Sequence, residues 1–118
     1  MTDRELDFAV AEHILGWKPH LTTKDELVYT HEPSRTWSVT GDHVPRSSTD
    51  PRRAIAVIDA MDERGWNCLI ENVHKTDEPR WSAHFLRSGI PSMTAHAETM
   101  PKAVCLAALR AHEHDKSD

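Results

Sequence analysis

Residues 50–66, DPRRAIAVIDAMDERGW, contain the start, the apolar face and the end of one helix. Asp50 can accept hydrogen bonds from the free amides of a first turn, and Pro51 suits the first helical position because it needs no donor there. The apolar positions form one stripe: Ala54, Ile55, Val57, Ile58 and Met61. Gly65 ends the helix, since glycine enters the left-handed conformation at the least steric cost, and Trp66 is expected to pack behind it. The stretch predicts a helix over 51–64.

The same Gly-Trp ending occurs earlier in the chain, at residues 16–17. Before it, Leu6, Val10 and Ile14 recur at four-residue steps, which is typical of an amphipathic helix. Thr2 and Glu5 have the spacing of a capping box. These residues predict a first helix over 3–15.

A third helix is indicated near the end of the chain, where Pro101 precedes an almost continuous apolar run, residues 103–111. Because this run is apolar nearly all round, we predict a helix over 101–112 that is buried against a sheet. The tails, residues 1–4 and 114–118, are expected to fray.

Alternating apolar and polar residues between the second and third helices predict an antiparallel meander. Its strands cover 66–73, 80–87 and 93–98, with turns at 74–79 and 88–92. The face expected to meet the core carries Trp81, Ala83, Phe85, Met93, Ala95 and Ala97. Two further β-like runs, at 27–30 and 36–40, predict a hairpin earlier in the chain.

Length and composition favour one domain, residues 1–118, in a soluble protein. The net charge of −5 gives no basic footprint, so binding to duplex nucleic acid is disfavoured. Cys68 and Cys105 lie in apolar segments, which indicates reduced packing residues of a cytosolic protein. The chain shows no secretory signal and no membrane-spanning run.

Nine histidines raise the question of a metal or catalytic site. If the last hairpin is symmetric about 89–90, His84 lies opposite His96 and Ser82 lies opposite Glu98. Two imidazoles and a carboxylate could hold a divalent metal or transfer protons. A solvated sheet face explains the same alternation more simply, so we predict no metal, no cofactor and no catalytic residue.

Two other pairs of residues are candidates for binding. Arg52 and Arg53, next to the amides of a helix start, could hold a phosphate or carboxylate, although capping with two solvated arginines is the simpler interpretation. Trp37, in the irregular segment, suits either an interface anchor or a residue packed on the sheet. We take Trp37 with Tyr29 as candidate partner-binding residues.

Several blocks taken together resemble the phage ABA sandwich domain family of small phage and prophage proteins. The blocks are Leu15-Gly16-Trp17, Ser48-Thr49-Asp50, Arg64-Gly65-Trp66, Trp81-x-Ala83-x-Phe85 and the ending from Ala95 to Leu109. The resemblance implies an α+β fold, a three-layer α/β/α sandwich with helices on both faces of a central antiparallel sheet. It implies no established activity and no catalytic residues. The segment 18–49 is variable, and within it residues 18–47 depart from the pattern, so we expect any specialised function to lie there.

Three functions remain open from the sequence. The first is a non-catalytic accessory protein in the host cytoplasm that binds and inhibits a host protein, such as a CRISPR effector or another defence complex. The second is a protein that sequesters a nucleotide signal with Arg52, Arg53 or Arg87 and an aromatic ring. The third, more distant, is a metal-dependent hydrolase built on His84, His96 and Glu98. A homodimer formed through an exposed sheet edge is a further open possibility.

Overall fold

The structure is a computed structural model that describes residues 1–21, 27–31, 38–40, 44–72 and 80–116. In chain order the elements are α1 (Asp3–His13), β1 (Trp17–Leu21), β2 (Leu27–His31), β3 (Ser38–Thr40), α2 (Pro51–Glu63), β4 (Asn67–Asn72), β5 (Trp81–Arg87), β6 (Ile90–Ala97) and α3 (Met100–Lys116). The described ranges therefore contain three helices and two antiparallel sheets, ordered β1-β2-β3 and β4-β5-β6. The predicted α+β fold is confirmed.

The helix ends follow the local sequence signals. The Thr2 side chain accepts from the Glu5 amide, and the Glu5 side chain accepts from the Thr2 amide, so the capping box is complete. Asp50 accepts a hydrogen bond from a first-turn amide of α2 at 3.0 Å. Gly16 and Gly65 have φ of +80° and +89°, the conformation that favours glycine after a helix.

The main core lies between α3 and one face of the β4–β6 sheet. The sheet contributes buried apolar side chains at Ala83, Phe85, Ala95 and Ala97. The helix contributes a larger buried set: Ala103, Val104, Cys105, Ala107, Ala108 and Ala111. Because α1 and α2 also pack against α3, this helix is enclosed on several sides, as its apolar composition predicted. Trp66 is buried in the same cluster, in agreement with the expectation that it packs behind the end of α2.

The buried face of α2 is narrower than the predicted stripe. Ala54, Val57 and Met61 are buried, whereas Ile55 is 54% exposed. Ile55 lies about 100° around the helix from Ala54, which takes it out of the row that faces the core. The prediction that Ile55 belongs to the core stripe is wrong.

The turn between β5 and β6 is shorter than predicted. Arg87 pairs with Ile90, so only Ser88 and Gly89 form the turn, with Gly89 at φ +80°. The strand β6 therefore begins three residues before the predicted start. The sequence placed Pro91 in a turn, but the ladder has an irregularity at this point, and a β-bulge on an edge strand accommodates proline.

This shorter turn changes the register of the hairpin. His84 pairs with Thr94 and Ser82 pairs with His96. The predicted pairs, His84 with His96 and Ser82 with Glu98, are wrong by two residues. A shift of two residues keeps every side chain on its own face of the sheet, so the polar face has the predicted composition but different neighbours.

The β1–β3 sheet contains the predicted early hairpin and one additional strand. The pair Val28–Thr40 belongs to the β2–β3 ladder, which confirms the hairpin. The additional strand, β1, pairs Trp17 with His31 on the other side of β2. Its Pro19 obscured the strand in the sequence, because proline lacks the donor of a ladder and is tolerated on edge strands.

The last turn of α3 is held by a carboxylate. Asp115 Oδ1 accepts from Arg87 Nη1 at 2.7 Å, and Oδ2 accepts from Trp66 Nε1 at 3.0 Å. The Arg87 guanidinium lies 4.0 Å from the centroid of the Trp66 ring. We call Asp115, Arg87 and Trp66 the Asp115 lock. The helix α3 extends four residues beyond the approximate end predicted at 112, and residues 114–116, which were expected to fray, are helical.

Arg64 joins the C-terminal ends of the helices. Its Nη2 donates to the carbonyl oxygens of His13 and Ile14 at 2.9 and 3.0 Å. Its own carbonyl oxygen accepts from Arg87 Nη2 at 2.6 Å. Carbonyls at a helix end lack intrahelical partners, and a guanidinium satisfies them while matching the negative end of the helix dipole.

No helix in the described ranges combines the length and apolar character needed to cross a membrane.

Candidate binding surfaces

A pocket of about 240 Å³ lies between the end of α1, the start of β1 and the first half of α2. We call it the α2 pocket. Its lining residues are Leu15, Trp17, Pro45, Ser47, Arg53 and Ala56. Gly16 positions two of these residues, because its positive φ turns the chain from α1 into β1 between Leu15 and Trp17. Trp17 also packs against the small cluster of Ala11 and Val44.

The turn that forms one wall of the pocket is fixed to α1. Asp7, only 2% exposed, accepts from the Ser48 amide at 2.8 Å and from Arg4 Nη1 at 3.1 Å. Arg4 Nη1 also donates to the carbonyl oxygen of Val44 at 3.0 Å, and Ser48 Oγ donates to the carbonyl oxygen of Asp3 at 3.1 Å. Both ends of the 44–48 segment are therefore held by side chains of α1.

Two polar side chains line the α2 pocket. Ser47 is fully buried, and within the part of the chain that the structure describes its Oγ has no hydrogen-bond partner. Arg53 is exposed on the first turn of α2. Arg52, the other predicted anion-binding residue, is also exposed but is not among the lining residues, so the structure separates the predicted pair. No sequence pattern indicated Ser47 or Trp17, because the pocket joins residues from three distant segments.

A second candidate surface is the face of the β4–β6 sheet opposite α3. We call it the outer face and define it by Leu69, Glu71, His84, Leu86, Thr94 and His96. The register places Leu69 directly opposite His84 and Glu71 directly opposite Ser82. Leu69 is 48% exposed and Leu86 is 37% exposed, so the outer face is open.

A chain of hydrogen bonds runs across the outer face. His84 Nε2 lies 2.7 Å from Glu71 Oε1, and His84 Nδ1 lies 2.8 Å from Thr94 Oγ1. Thr94 Oγ1 lies 2.9 Å from Ser92 Oγ. An ionised carboxylate only accepts, so His84 Nε2 carries a proton toward Glu71. With a neutral imidazole, Thr94 then donates to Nδ1 and Ser92 donates to Thr94, which orients every member of the chain.

A second pair on the same face is equally ordered. Ser82 Oγ lies 2.6 Å from His96 Nδ1, and Ser82 is buried although His96 is exposed. The two histidines therefore have separate hydroxyl partners and do not face each other across the ladder. The contacts could not be predicted because they depend on the register that the two-residue turn and the irregularity after it set together.

The distant metal-hydrolase interpretation loses its geometric basis. It needed His84 opposite His96 and a carboxylate from Glu98, but Glu98 lies beyond the end of β6. Within the described ranges, no three His, Cys, Asp or Glu side chains are grouped so that they could hold a metal ion.

The cysteines lie in environments that oppose thiolate formation. Burial raises the pKa of the Cys105 thiol to about 12, with a smaller effect from the charge of Asp7. Burial also raises the pKa of Cys68. Because the thiolate is the reactive form, both cysteines are expected to act as packing residues.

The remaining predicted site residues have different outcomes. Arg87 is bound to Asp115 and to a backbone carbonyl, so it does not accompany Arg52 and Arg53 as an anion-binding group. Tyr29 lies in β2, where its backbone pairs with Pro19 and Val39. Trp37 lies outside the described residues. The partner-binding role of Tyr29 and Trp37 stays a prediction.

A family model described as the phage ABA sandwich domain matches residues 9–109. The chain belongs to this family. A similar solved structure is the 2.0 Å crystal structure of a phage protein from Bacillus cereus ATCC 14579, with a TM-score of 0.70 over 94% of this chain and 92% of that chain. At 19% identity, that likeness shows the shared fold alone. The comparison with curated proteins finds no match to this phage ABA sandwich protein.

Proposed function

We propose that this phage ABA sandwich protein is a non-catalytic accessory protein that binds and inhibits a host protein through its outer face. The observation that carries the proposal is the exposure of Leu69 and Leu86 on one face of the sheet. Covering such apolar surface with a partner removes it from water, which favours association. The polar side chains around the leucines supply the hydrogen-bonding rim that an interface needs.

The order within the outer face supports a binding role. His84 and His96 each have a hydroxyl partner, so their ring positions are set before a partner arrives. Association costs rotamer entropy for each side chain that becomes fixed, and side chains already fixed lose less. A prearranged polar face therefore favours specific recognition.

The solvation of the outer face supports binding over catalysis. The Glu71 side chain is 53% exposed, so the carboxylate end of the hydrogen-bonded chain meets water. Catalytic groups gain most from sites that exclude water and enclose a substrate. An open sheet surface suits contact with another protein better.

The charge of the chain indicates the class of partner. A net charge of −5 favours a host protein with a basic surface, because complementary charge steers the encounter. Proteins that bind nucleic acid carry such surfaces. We therefore propose a nucleic-acid-binding host protein in the cytoplasm, with a defence complex such as a CRISPR effector as the first target to test.

The test compares Leu69→Asp with Ile55→Asp. Both variants introduce a carboxylate at an exposed apolar residue, but Ile55 lies on α2 rather than on the outer face. Each protein is expressed in cells that carry a defined defence system, and plasmid or phage survival is measured with binding to the purified effector. We expect wild type and Ile55→Asp to protect and bind, and Leu69→Asp to lose at least about tenfold in affinity, or about 1.4 kcal/mol.

Three results would overturn the proposal. Equal protection by wild type and Leu69→Asp would show that the outer face makes no contact with the target. Light scattering that finds a wild-type dimer and a Leu69→Asp monomer would assign the outer face to a second copy of the chain. Failure of wild type to bind any basic nucleic-acid-binding effector would exclude the proposed partner class.

A further inference from the structure

We propose that the α2 pocket binds a small organic anion, a carboxylate or phosphate monoester attached to a single flat ring. This proposal goes beyond the proposed function, because it concerns elements that do not contribute to the outer face. Its first basis is Ser47, a residue that lines the pocket and whose buried hydroxyl has no hydrogen-bond partner among the described residues. Buried hydroxyls are almost always bonded, so an unpartnered one beside a pocket indicates a ligand that completes the bond.

The second basis is the Arg53 guanidinium, which lines the same pocket. A guanidinium donates in a planar fork that matches a carboxylate or phosphate. The backbone amides at this helix start are already engaged, since the Arg52 amide donates to Asp50 Oδ1 and the Arg53 amide donates to the Asp50 carbonyl. The side chains of Arg53 and Ser47, rather than the helix-end amides, would therefore hold the anion.

The remaining walls define the organic part of the ligand. Leu15, Pro45 and Ala56 are apolar, and Trp17 is the aromatic residue among the lining residues. Aromatic rings associate well with a flat partner through offset or edge contacts. An aliphatic chain would fill the same space without using the ring, so a flat group is the better match.

The pocket volume limits the ligand to one ring. The volume of about 240 Å³ equals that of about eight water molecules in the liquid. Pockets for drug-sized ligands begin near about 300 Å³. A benzoate or phenyl phosphate is of suitable size, whereas a complete purine nucleotide would extend into solvent. The sequence left open that the protein sequesters a nucleotide signal. The size of the pocket favours a smaller anion with one ring over a complete nucleotide.

The test measures binding of four defined probes to the whole chain by calorimetry and thermal shift. Phenyl phosphate and benzoate carry both features, benzyl alcohol carries only the ring, and inorganic phosphate carries only the charge. We expect the first two to raise the unfolding midpoint of wild type. Benzyl alcohol and inorganic phosphate are expected to bind at least about tenfold more weakly, since each lacks one set of contacts. No binding of either ring-bearing anion overturns the proposal.

Matched variants locate the site. Arg53→Gln is expected to weaken phenyl phosphate binding by about tenfold or more, whereas Arg52→Gln, one residue away and outside the pocket, should bind as wild type does. Ala56→Leu places bulk in the pocket from an exposed helix position and should abolish binding with little effect on folding. Equal binding by wild type, Arg53→Gln and Ala56→Leu would place the ligand elsewhere and overturn the assignment.

The Ser47→Ala variant tests whether the Ser47 hydroxyl binds the ligand or stabilises the free protein. Removing an unpartnered buried hydroxyl should leave the unfolding midpoint of the free protein unchanged or higher, while the affinity for phenyl phosphate falls. A lower midpoint of the free protein with unchanged affinity would assign Ser47 a structural role and contradict the proposal. Leu69→Asp should bind phenyl phosphate as wild type does, so this test and that of the proposed function can fail independently.

Discussion

Replacing Asp115 with Asn tests whether the Asp115 lock holds the end of α3. The change keeps the shape of the side chain but removes the charge that receives the two Arg87 contacts at 2.7 and 3.4 Å. Hydrogen bonds to charged groups contribute about 1.5–3 kcal/mol. The side chains of Arg87 and Asp115 are 27% and 31% exposed, so solvent screening favours the lower end, about 1.5 kcal/mol.

This free energy corresponds to a measurable change in the unfolding midpoint. An unfolding entropy of about 2.1 cal/mol/K per residue gives about 0.25 kcal/mol/K for 118 residues. The midpoint of Asp115→Asn should therefore fall by about 6 °C in calorimetry at about pH 7. Asp59→Asn, an exposed carboxylate on α2, is the matched control and should change the midpoint by less than about 1 °C.

The pH dependence of stability gives a second test of the interaction between Asp115 and Arg87. Hydrogen bonds from Arg87, with a further one from Trp66, hold the pKa of Asp115 below its ordinary value near 3.8. The stabilisation is present above that ordinary value and is lost as the pH falls through the lowered pKa of the folded state. The difference between wild type and Asp115→Asn should be constant from about pH 7 to about pH 5 and smaller at about pH 3. A difference below about 0.5 kcal/mol at neutral pH, or one that does not shrink in acid, would refute the reasoning.

Substitutions at three further positions test other parts of the fold. Asp7→Ala leaves the buried Ser48 amide without its acceptor, so the free energy of unfolding in urea should fall by about 2–3 kcal/mol. The same substitution at an exposed carboxylate should leave the free energy of unfolding unchanged. Burial, with smaller effects from His13 and Arg64, lowers the pKa of His112. Protonation of His112 therefore favours the unfolded state, and the free energy of unfolding should decrease as the pH falls below about 6.5. His112→Gln should reduce this pH dependence in urea titrations. Gly65→Ala should cost about 1–2 kcal/mol of stability in calorimetry, because φ is +89° and alanine adopts this conformation at a steric cost. The added methyl would meet Arg87 only at an ordinary 3.7 Å, so this contact adds nothing to the cost. Gly65→Asn should cost less, because asparagine adopts this conformation more readily.

The features that the sequence predicted are those that neighbouring residues determine. The capping box of Thr2 and Glu5 spans three residues, and both halves form in the structure. Gly65 lies directly after a helix whose apolar period is visible within one window, so the helix end could be placed closely. The residues of the β5–β6 hairpin that face the core could be predicted from the alternation of apolar and polar residues, which depends only on the two-residue period of a strand.

The features that the sequence did not predict depend on distant residues. Asp115 meets Arg87 across 28 positions, and no local pattern connects a carboxylate near the end of the chain with that strand. Ser47 and Trp17 reach the same pocket although Trp17 comes just before the segment that departs from the family pattern and Ser47 is its last residue. The register error came from the turn, which has two residues instead of the predicted five and is followed by an irregularity near Pro91, and a change at the turn alters every cross-strand partner beyond it.

The two candidate surfaces use different elements, and this separation allows a test of whether they cooperate. The α2 pocket is formed by α1, β1, the 44–48 segment and α2, whereas the outer face is formed by β4, β5 and β6. Effects of substitutions at sites without shared partners usually add. If phenyl phosphate leaves the affinity of wild type for the host protein unchanged, the ligand and the partner act independently. An affinity that changes with phenyl phosphate in wild type but not in Ser47→Ala would show that the pocket ligand regulates the outer face, since coupling between two sites is the factor by which one ligand changes the affinity for the other.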